Sequence, residues 1–303
     1  MRVFVTGASG FIGSAVVAEL IDAGHEVIGL ARSDEAASAV EAAGAQAHRG
    51  ALDDLESLRS GAAAADGVIH TAYIHDFSRM PDAARTDLLA VETLGAALEG
   101  SGRPMVITTG TALIKPGQVA TEKDSADSDS HPRLRAEDAA KALAARGVRT
   151  SIVRPGASVH GEGDHGFVPV LIEIARDKGV AAYIGDGSNR WPAVHRLDAA
   201  NLYRLALETA DAGSVFHAIA DEGIPTREIA EVIGRHLEVP VVSVAPEDAA
   251  EHFGWMGMFF GIDAPASSAL TQERLGWRPA RLGLIEDLER GHYFAQAARR
   301  VTV

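Results

Sequence analysis

From residue 1 to about 155, short β-branched runs alternate with amphipathic stretches, the pattern of βαβ units that feed a parallel sheet. Strands are predicted at Val3 to Thr6, Glu26 to Leu30, Gln46 to His48, Val68 to Thr71, Met105 to Thr109 and Thr150 to Val153. Strands that read as continuous apolar runs rather than alternating ones, as at Val68 and Met105, are expected where helices cover both sheet faces. Between the first two, Ile12, Val16, Leu20 and Ala23 recur at helical spacing and Gly24 supplies the stop. Leu88, Val91, Leu94 and Leu98 mark a later helix in the same way. The expected class is α/β, a doubly wound parallel sheet.

After about residue 155 the rhythm changes to longer loops, broken by Pro155, Pro169, Pro192, Pro225, Pro240, Pro246, Pro265 and Pro279. This divides the chain into residues 1–155, carrying the sheet, and 156–303, a smaller α+β substrate lobe from which parts return to the sheet. No fixed-period repeat stands out. Thr121 to His131, with Asp124, Asp127 and Asp129 among serines, reads as a loop.

Composition narrows the function. The chain has 303 residues, 47% hydrophobic and 23% charged, which excludes a disordered chain, a coiled coil or a collagen-like fibre. With 28 Lys and Arg against 42 Asp and Glu, the formal charge of −14 argues against nucleic acid or anionic lipid as a partner. No apolar run reaches the roughly 18 residues of a membrane span, and a first strand starting at Arg2 leaves no room for a signal peptide. The expected location is cytoplasmic. The absence of cysteine removes disulfides, thiolate metal sites and a cysteine nucleophile. An anionic ligand must therefore be gripped by a local device.

That device is predicted at Thr6-Gly7-Ala8-Ser9-Gly10-Phe11-Ile12-Gly13, between the first strand and the first helix. Gly7 can take the tight turn, Gly10 lets the backbone approach a pyrophosphate, and Gly13 lets helix pack close to strand. Unpaired N–H groups around Ser9, Phe11 and Ile12 then face the phosphates. The spacing predicts a Rossmann-type dinucleotide site, although a strand-turn-helix junction favours glycine in any case. At the end of the second strand, Arg32 can pair with a ribose 2′-phosphate and Ser33 can donate to it, so NADP is favoured with NAD as the alternative. The plainer reading of Arg32 is a solvated side chain at a helix start. Asp53 is placed either to accept from the adenine amino group or to cap a helix.

These residues resemble the extended and atypical short-chain dehydrogenase/reductases, the group that includes NAD-dependent epimerases and dehydratases. The likeness runs over nearly the whole chain, through Val68-Ile69-His70-Thr71-Ala72, Arg154-Pro155, Val159 to Asp164, Val194 to Asp198 and Leu275 to Pro279. It implies a nicotinamide cofactor, with Thr71, Ala72 and Pro155 along it, and a cleft shared with the C-terminal lobe.

The departure lies at the chemistry. The resemblance implies a Tyr with a Lys four residues on, the cation lowering the phenol pKa. Here Phe77, Gly187, Leu207 and Ala297 stand four residues after Tyr73, Tyr183, Tyr203 and Tyr293. Aligning through Ala136-Glu137 puts Asp129 and Arg133 at the two places; a two-residue slip puts His131 and Arg135 there. Thr111, or Thr109 in another register, is expected to hold the substrate oxygen, although threonine favours strand ends anyway. Tyr73 and His131 are candidate proton donors, and Arg133 would steady the cofactor ribose. His75, His160, Trp191 and His195 are expected at the substrate, with Arg190 and Trp191 on a flexible loop. A metal reading of His160 to His165 is set aside, because ligands spaced by glycine have no fixed common face. Trp255 to Phe260 is either a pocket wall or core. The expected function is NADP-dependent carbonyl reduction or alcohol oxidation on a small, partly apolar molecule. The alternatives are a sugar-nucleotide epimerase or dehydratase, and a non-catalytic NADP(H) sensor. A homodimer is the commonest assembly of soluble enzymes.

Overall fold

The computed structural model describes residues 1–112, 114–128 and 131–295. Seven parallel strands form the main sheet: β1 (Arg2–Thr6), β2 (Glu26–Ala31), β3 (Gln46–Arg49), β4 (Gly67–His70), β5 (Pro104–Thr108), β6 (Arg149–Pro155) and β10 (Ser214–Ala218), in the order β10-β6-β5-β4-β1-β2-β3. The order reverses between β1 and β4, which opens a crevice beyond the carboxyl ends of those strands. All of Val3, Phe4, Val5, Val68, Ile69, Val106 and Ile107 are buried, because helices cover both faces. Those helices are α1 (Phe11–Asp22), α2 (Asp34–Ala42), α3 (Leu55–Ala63), α4 (Met80–Leu98), α5 (Arg135–Ala145) and, from later in the chain, α7 (Arg196–Thr209). One core cluster joins Val16 and Leu20 of α1 to Leu202, Tyr203 and Ala206 of α7; another joins Phe4 and Met105 to Leu94 and Leu143.

The second lobe is built on β7 (Ser158–His160), β9 (Arg190–His195) and β11 (Asp221–Pro225), in the order β11-β9-β7, and on the pair β8 (Ala181–Ile184) and β12 (Val241–Val244). Helices α6 (Phe167–Lys178), α8 (Thr226–Leu237), α9 (Ala249–Phe253), α10 (Met256–Phe260), α12 (Leu284–Glu289) and α13 (His292–Ala295) complete it, whereas α11 (Ala269–Leu275) packs on the main sheet, its Thr271 hydroxyl accepting from the His217 N–H of β10 at 2.8 Å. Its core gathers Ile172, Trp191, Ile229, Met256, Phe260 and Leu284. The lobes interlock through the chain's return: β10 pairs with β6 in register Phe216 to Val153, so the sheet includes residues well beyond 155. Among the described residues, no helix is long and apolar enough to cross a membrane.

Candidate functional site

The predicted turn folds as its glycines require. Gly7 adopts φ +70°, and a Cβ there would stand 2.8 Å from the Ala72 nitrogen. A Cβ on Gly13 would fall 1.9 Å from the Gly7 carbonyl oxygen, so only glycine lets α1 begin this close to β1. The turn closes by the Gly10 N–H donating to Gly7 O at 2.8 Å. Gly10 is the N-cap of α1 and brings no side-chain hydrogen bond to the helix end. Ser9 is exposed beside it, while Phe11 and Ile12 are partly buried. The leading N–H groups of a twelve-residue helix therefore open on the crevice.

A second layer reaches this turn from the other lobe. The Arg196 guanidinium lies 5.0 Å from the Phe11 ring centroid, and the His165 ring meets Phe11 edge-on at 5.8 Å. Helix α7 starts here because His195 Nδ1 accepts the Leu197 N–H at 3.2 Å.

At the end of β2, Arg32 is exposed and Ser33 caps α2, its Oγ accepting from Ala36 N–H at 3.1 Å. Pairing of Ala31 with Arg49 brings a second cation, Arg49, to the same edge. Arg49 donates to the Ser33 carbonyl and pairs with Asp34. Sequence reading missed Arg49, although strand register would have pointed to it. Of the two roles offered for Asp53, the cap belongs instead to Asp54, which accepts from Ser57 N–H at 3.2 Å; Asp53 is exposed.

Beneath the crevice, β4 ends in a buried polar chain. Thr6 Oγ1 meets His70 Nδ1 at 2.7 Å, and His70 Nε2 meets Asp87 Oδ1 at 3.0 Å. A carboxylate only accepts, so Nε2 carries the proton and Thr6 donates to Nδ1; this tautomer is inferred from the network. The same Thr6 oxygen accepts from Ala72 N–H at 3.4 Å, and Thr71 Oγ1 donates to Thr6 O at 2.8 Å. Thr71 and Ala72 thus line the crevice beside Gly7 and aim the following residue, Tyr73, across it.

On the facing side stands the one-turn helix Pro132–Leu134. The Arg133 guanidinium lies 3.9 Å from the Tyr73 ring centroid. The sequence had offered no cation for Tyr73; the fold supplies one from a distant segment. Burial raises the Tyr73 phenol above its ordinary value, Arg133 pulls it down and Asp87 adds to the rise. The His75 ring sits edge-on to Tyr73 at 5.3 Å. Desolvation by the surrounding protein, with Arg133 behind it, lowers His75 to about 4, although the residue is exposed. Burial and Arg133 also lower His131, whose Nδ1 accepts the Arg133 N–H at 3.3 Å. Asp129 lies outside the described residues.

Three expectations are corrected. Thr111 is 1% exposed, and its hydroxyl donates to Pro155 O at 3.3 Å, so it ties the segment after β5 to the end of β6 instead of facing a ligand. Thr109 is likewise buried, donating to Glu137 at 2.6 Å. Trp191 is a residue of β9 rather than of a flexible loop and is 1% exposed, packed on Phe260 and Phe167; Arg190 beside it is paired with Asp263 at 2.9 Å. His160 is also wholly buried, its Nδ1 bonded to Asp287 at 2.9 Å, and packs on His195 at 5.4 Å. Trp255 to Phe260 divides: Met256 and Phe260 are core, whereas Trp255 and Met258 are exposed. Among the described residues, no group of three or more His, Asp or Glu is placed to hold a metal ion.

A model described as the NAD dependent epimerase/dehydratase family matches residues 3–219. An uncharacterized protein of Schizosaccharomyces pombe is 51% identical over 97% of this chain and 100% of its own length. A 4-hydroxy-2-methyl-3-oxo-4-farnesyl-3,4-dihydroquinoline-1-oxide ketoreductase of Stigmatella aurantiaca is 30% identical over 88% of this chain and 84% of its own. Among solved structures, the Thermus thermophilus UDP-glucose 4-epimerase complex with NAD superposes with a TM-score of 0.76 at 22% identity, covering 98% of this chain and 100% of that one.

Proposed function

This chain belongs to the NAD-dependent epimerase/dehydratase family, within the extended and atypical short-chain dehydrogenase/reductases, and from that premise we propose that it is an NADP-dependent oxidoreductase that reduces a carbonyl on a small, partly apolar molecule. The observation that carries the reading is the Gly7–Gly13 turn, in which a Cβ at the last glycine would collide with backbone and the helix end has no side-chain cap. Such an end suits a pyrophosphate. The Phe11 and Ile12 amides would hold it, with Arg196 as the nearby cation. Arg32 and Arg49 would hold the ribose 2′-phosphate. When bound, the reduced cofactor supplies hydride; the chain's own task is to fix the carbonyl and deliver a proton to its oxygen.

The ketoreductase name of the Stigmatella relative supports carbonyl reduction over sugar-nucleotide epimerisation. The second lobe supports an apolar substrate: Phe167 packs on Trp255 at 6.0 Å and on Phe259 at 5.3 Å, and Trp255 stays 44% exposed. The test is calorimetric titration with NADPH and NADH, followed by NADPH oxidation with a panel of aldehydes, ketones and enones. Saturable NADPH binding with turnover of at least one carbonyl is expected. No binding of either coenzyme overturns the reading, and tight binding with no turnover turns it toward the non-catalytic sensor.

A further inference from the structure

Tyr73 and Arg133 approach each other from two segments far apart in the chain, one following β4 and the other preceding α5. Their contact lies beyond the carboxyl end of β4, beside the point where strand order reverses, which is where open α/β sheets bind ligands. The guanidinium is stacked on the ring face at 3.9 Å, well inside the range of a cation–π contact. Arg133 Nε is buried with no hydrogen-bond partner among the described residues, so an N–H of this cation is left for something not yet bound.

We propose that Tyr73 is the proton donor of this site and that Arg133 is the positioning residue that holds its ring and stabilises its charge. This rests on the oxidoreductase reading above. As the carbonyl carbon takes hydride from the reduced nicotinamide, the carbonyl π pair moves onto oxygen and forms a bond to the Tyr73 proton. The phenol O–H bond breaks and leaves its electron pair on Tyr73. Water then reprotonates the phenolate. Arg133 faces a neutral ring before the transfer and an anionic one after it, so its attraction grows as charge develops, which is the requirement for lowering a barrier.

The neighbouring charges fit a donor. Asp87, on α4, opposes ionisation of Tyr73 and burial does so more strongly, so the phenol keeps its proton through neutral pH. His75, lowered to about 4, is neutral there, burial and Arg133 lower His131 as well, and Arg133 is the cation stacked on the ring. The Thr6–His70–Asp87 chain fixes the Ala72 backbone and so the direction from which Tyr73 enters. This balance favours reduction over oxidation, because a phenol with a raised pKa is a poor base at pH 7.

The test uses the whole protein labelled with [ζ-13C]tyrosine. Tyr73→Phe assigns the Tyr73 resonance, and its ionisation is followed by NMR in wild type, Arg133→Met and Arg133→Lys. Loss of the cation should raise the Tyr73 pKa by about one unit or more, and Arg133→Lys should restore most of the shift. A kinetic arm with NADPH and ethyl 3-oxobutanoate should show kcat reduced by about 10²- to 10⁴-fold in Tyr73→Phe, with NADPH affinity retained. The basic limb of the kcat profile should move in Arg133→Met as the NMR titration does. Identical Tyr73 titration in wild type and Arg133→Met overturns the proposal, as does unchanged turnover in Tyr73→Phe. Failure of NADPH to bind overturns the cofactor reading instead, and the NMR arm still decides the Tyr73–Arg133 pair.

Discussion

Arg154 and Glu137 form a bidentate ion pair inside the protein, Nε to Oε1 at 2.8 Å and Nη2 to Oε2 at 2.5 Å, with side chains 1% and 4% exposed. The pair joins β6 to α5, and Arg154 also donates to the Asp124 carbonyl at 2.9 Å. It therefore anchors the first turn of α5, directly after the one-turn helix that carries Arg133. Burial works to raise the Glu137 carboxyl, but hydrogen bonds and charge from Arg154 outweigh it and the net shift is downward. Removing one partner leaves the other buried and uncompensated. Glu137→Ala should cost about 3–5 kcal/mol in urea unfolding, whereas a loss below about 1 kcal/mol would show that the pair is solvated in solution.

Cofactor choice should reside at the edge of β2 and β3. Arg32→Ala and Arg49→Ala should each weaken NADPH by about 1–3 kcal/mol, the scale of a charge-assisted bond, while NADH binding hardly changes. Calorimetry of the four combinations decides this. Equal losses for both coenzymes would remove the 2′-phosphate assignment.

Asp164 should give the second lobe a pH dependence of its own. Burial raises its carboxyl to about 6, against hydrogen bonds from Gly166 N–H and the Tyr293 hydroxyl. Because the folded value lies above that of an unfolded aspartate, folding favours the protonated form. The contribution is complete below about pH 4 and is lost as pH rises through about 6. Asp164→Asn should match wild type near pH 4 and exceed it near pH 8 by on the order of 2 kcal/mol. Parallel stability curves for the two proteins would contradict this account.

Two tryptophans should separate core from cleft. Trp191 is buried among Phe167, Phe253 and Phe260 neighbours in one cluster, and Trp191→Ala should cost about 3–5 kcal/mol. Trp255 is exposed, so Trp255→Ala should change stability by less than about 1 kcal/mol while raising KM for an apolar carbonyl substrate. Thermal unfolding and steady-state kinetics read the two effects; a Trp255→Ala protein with unchanged KM for every carbonyl turned over would remove that residue from the cleft.

Much of the fold was legible in the chain itself. The apolar runs at Val3, Val68 and Met105 became β1, β4 and β5 within one residue at their ends, because a strand covered on both faces has no choice but to be apolar throughout. Gly24 stands just past the end of α1 with φ +83°, as a helix stop should. Side-chain roles were less legible. Trp191 reads as a loop aromatic next to Arg190 and Pro192, and only the pairing of β9 with β7 and β11 shows that it faces a core. Thr111 had the right neighbours for a ligand contact, yet its hydroxyl is consumed by the Pro155 carbonyl.

What the sequence determined by itself was the parallel sheet, the glycine turn and the loss of a Tyr-Lys pair at its usual spacing, since each depends on residues adjacent or nearly adjacent in the chain. What only the tertiary structure decided was which cation meets which ring. Tyr73 and Arg133 share no periodicity, and their contact exists because β4 and the helix before α5 end on the same rim of the sheet. Proximity across a crevice depends on how strands are ordered and how helices pack over them, and neither is written in local spacing.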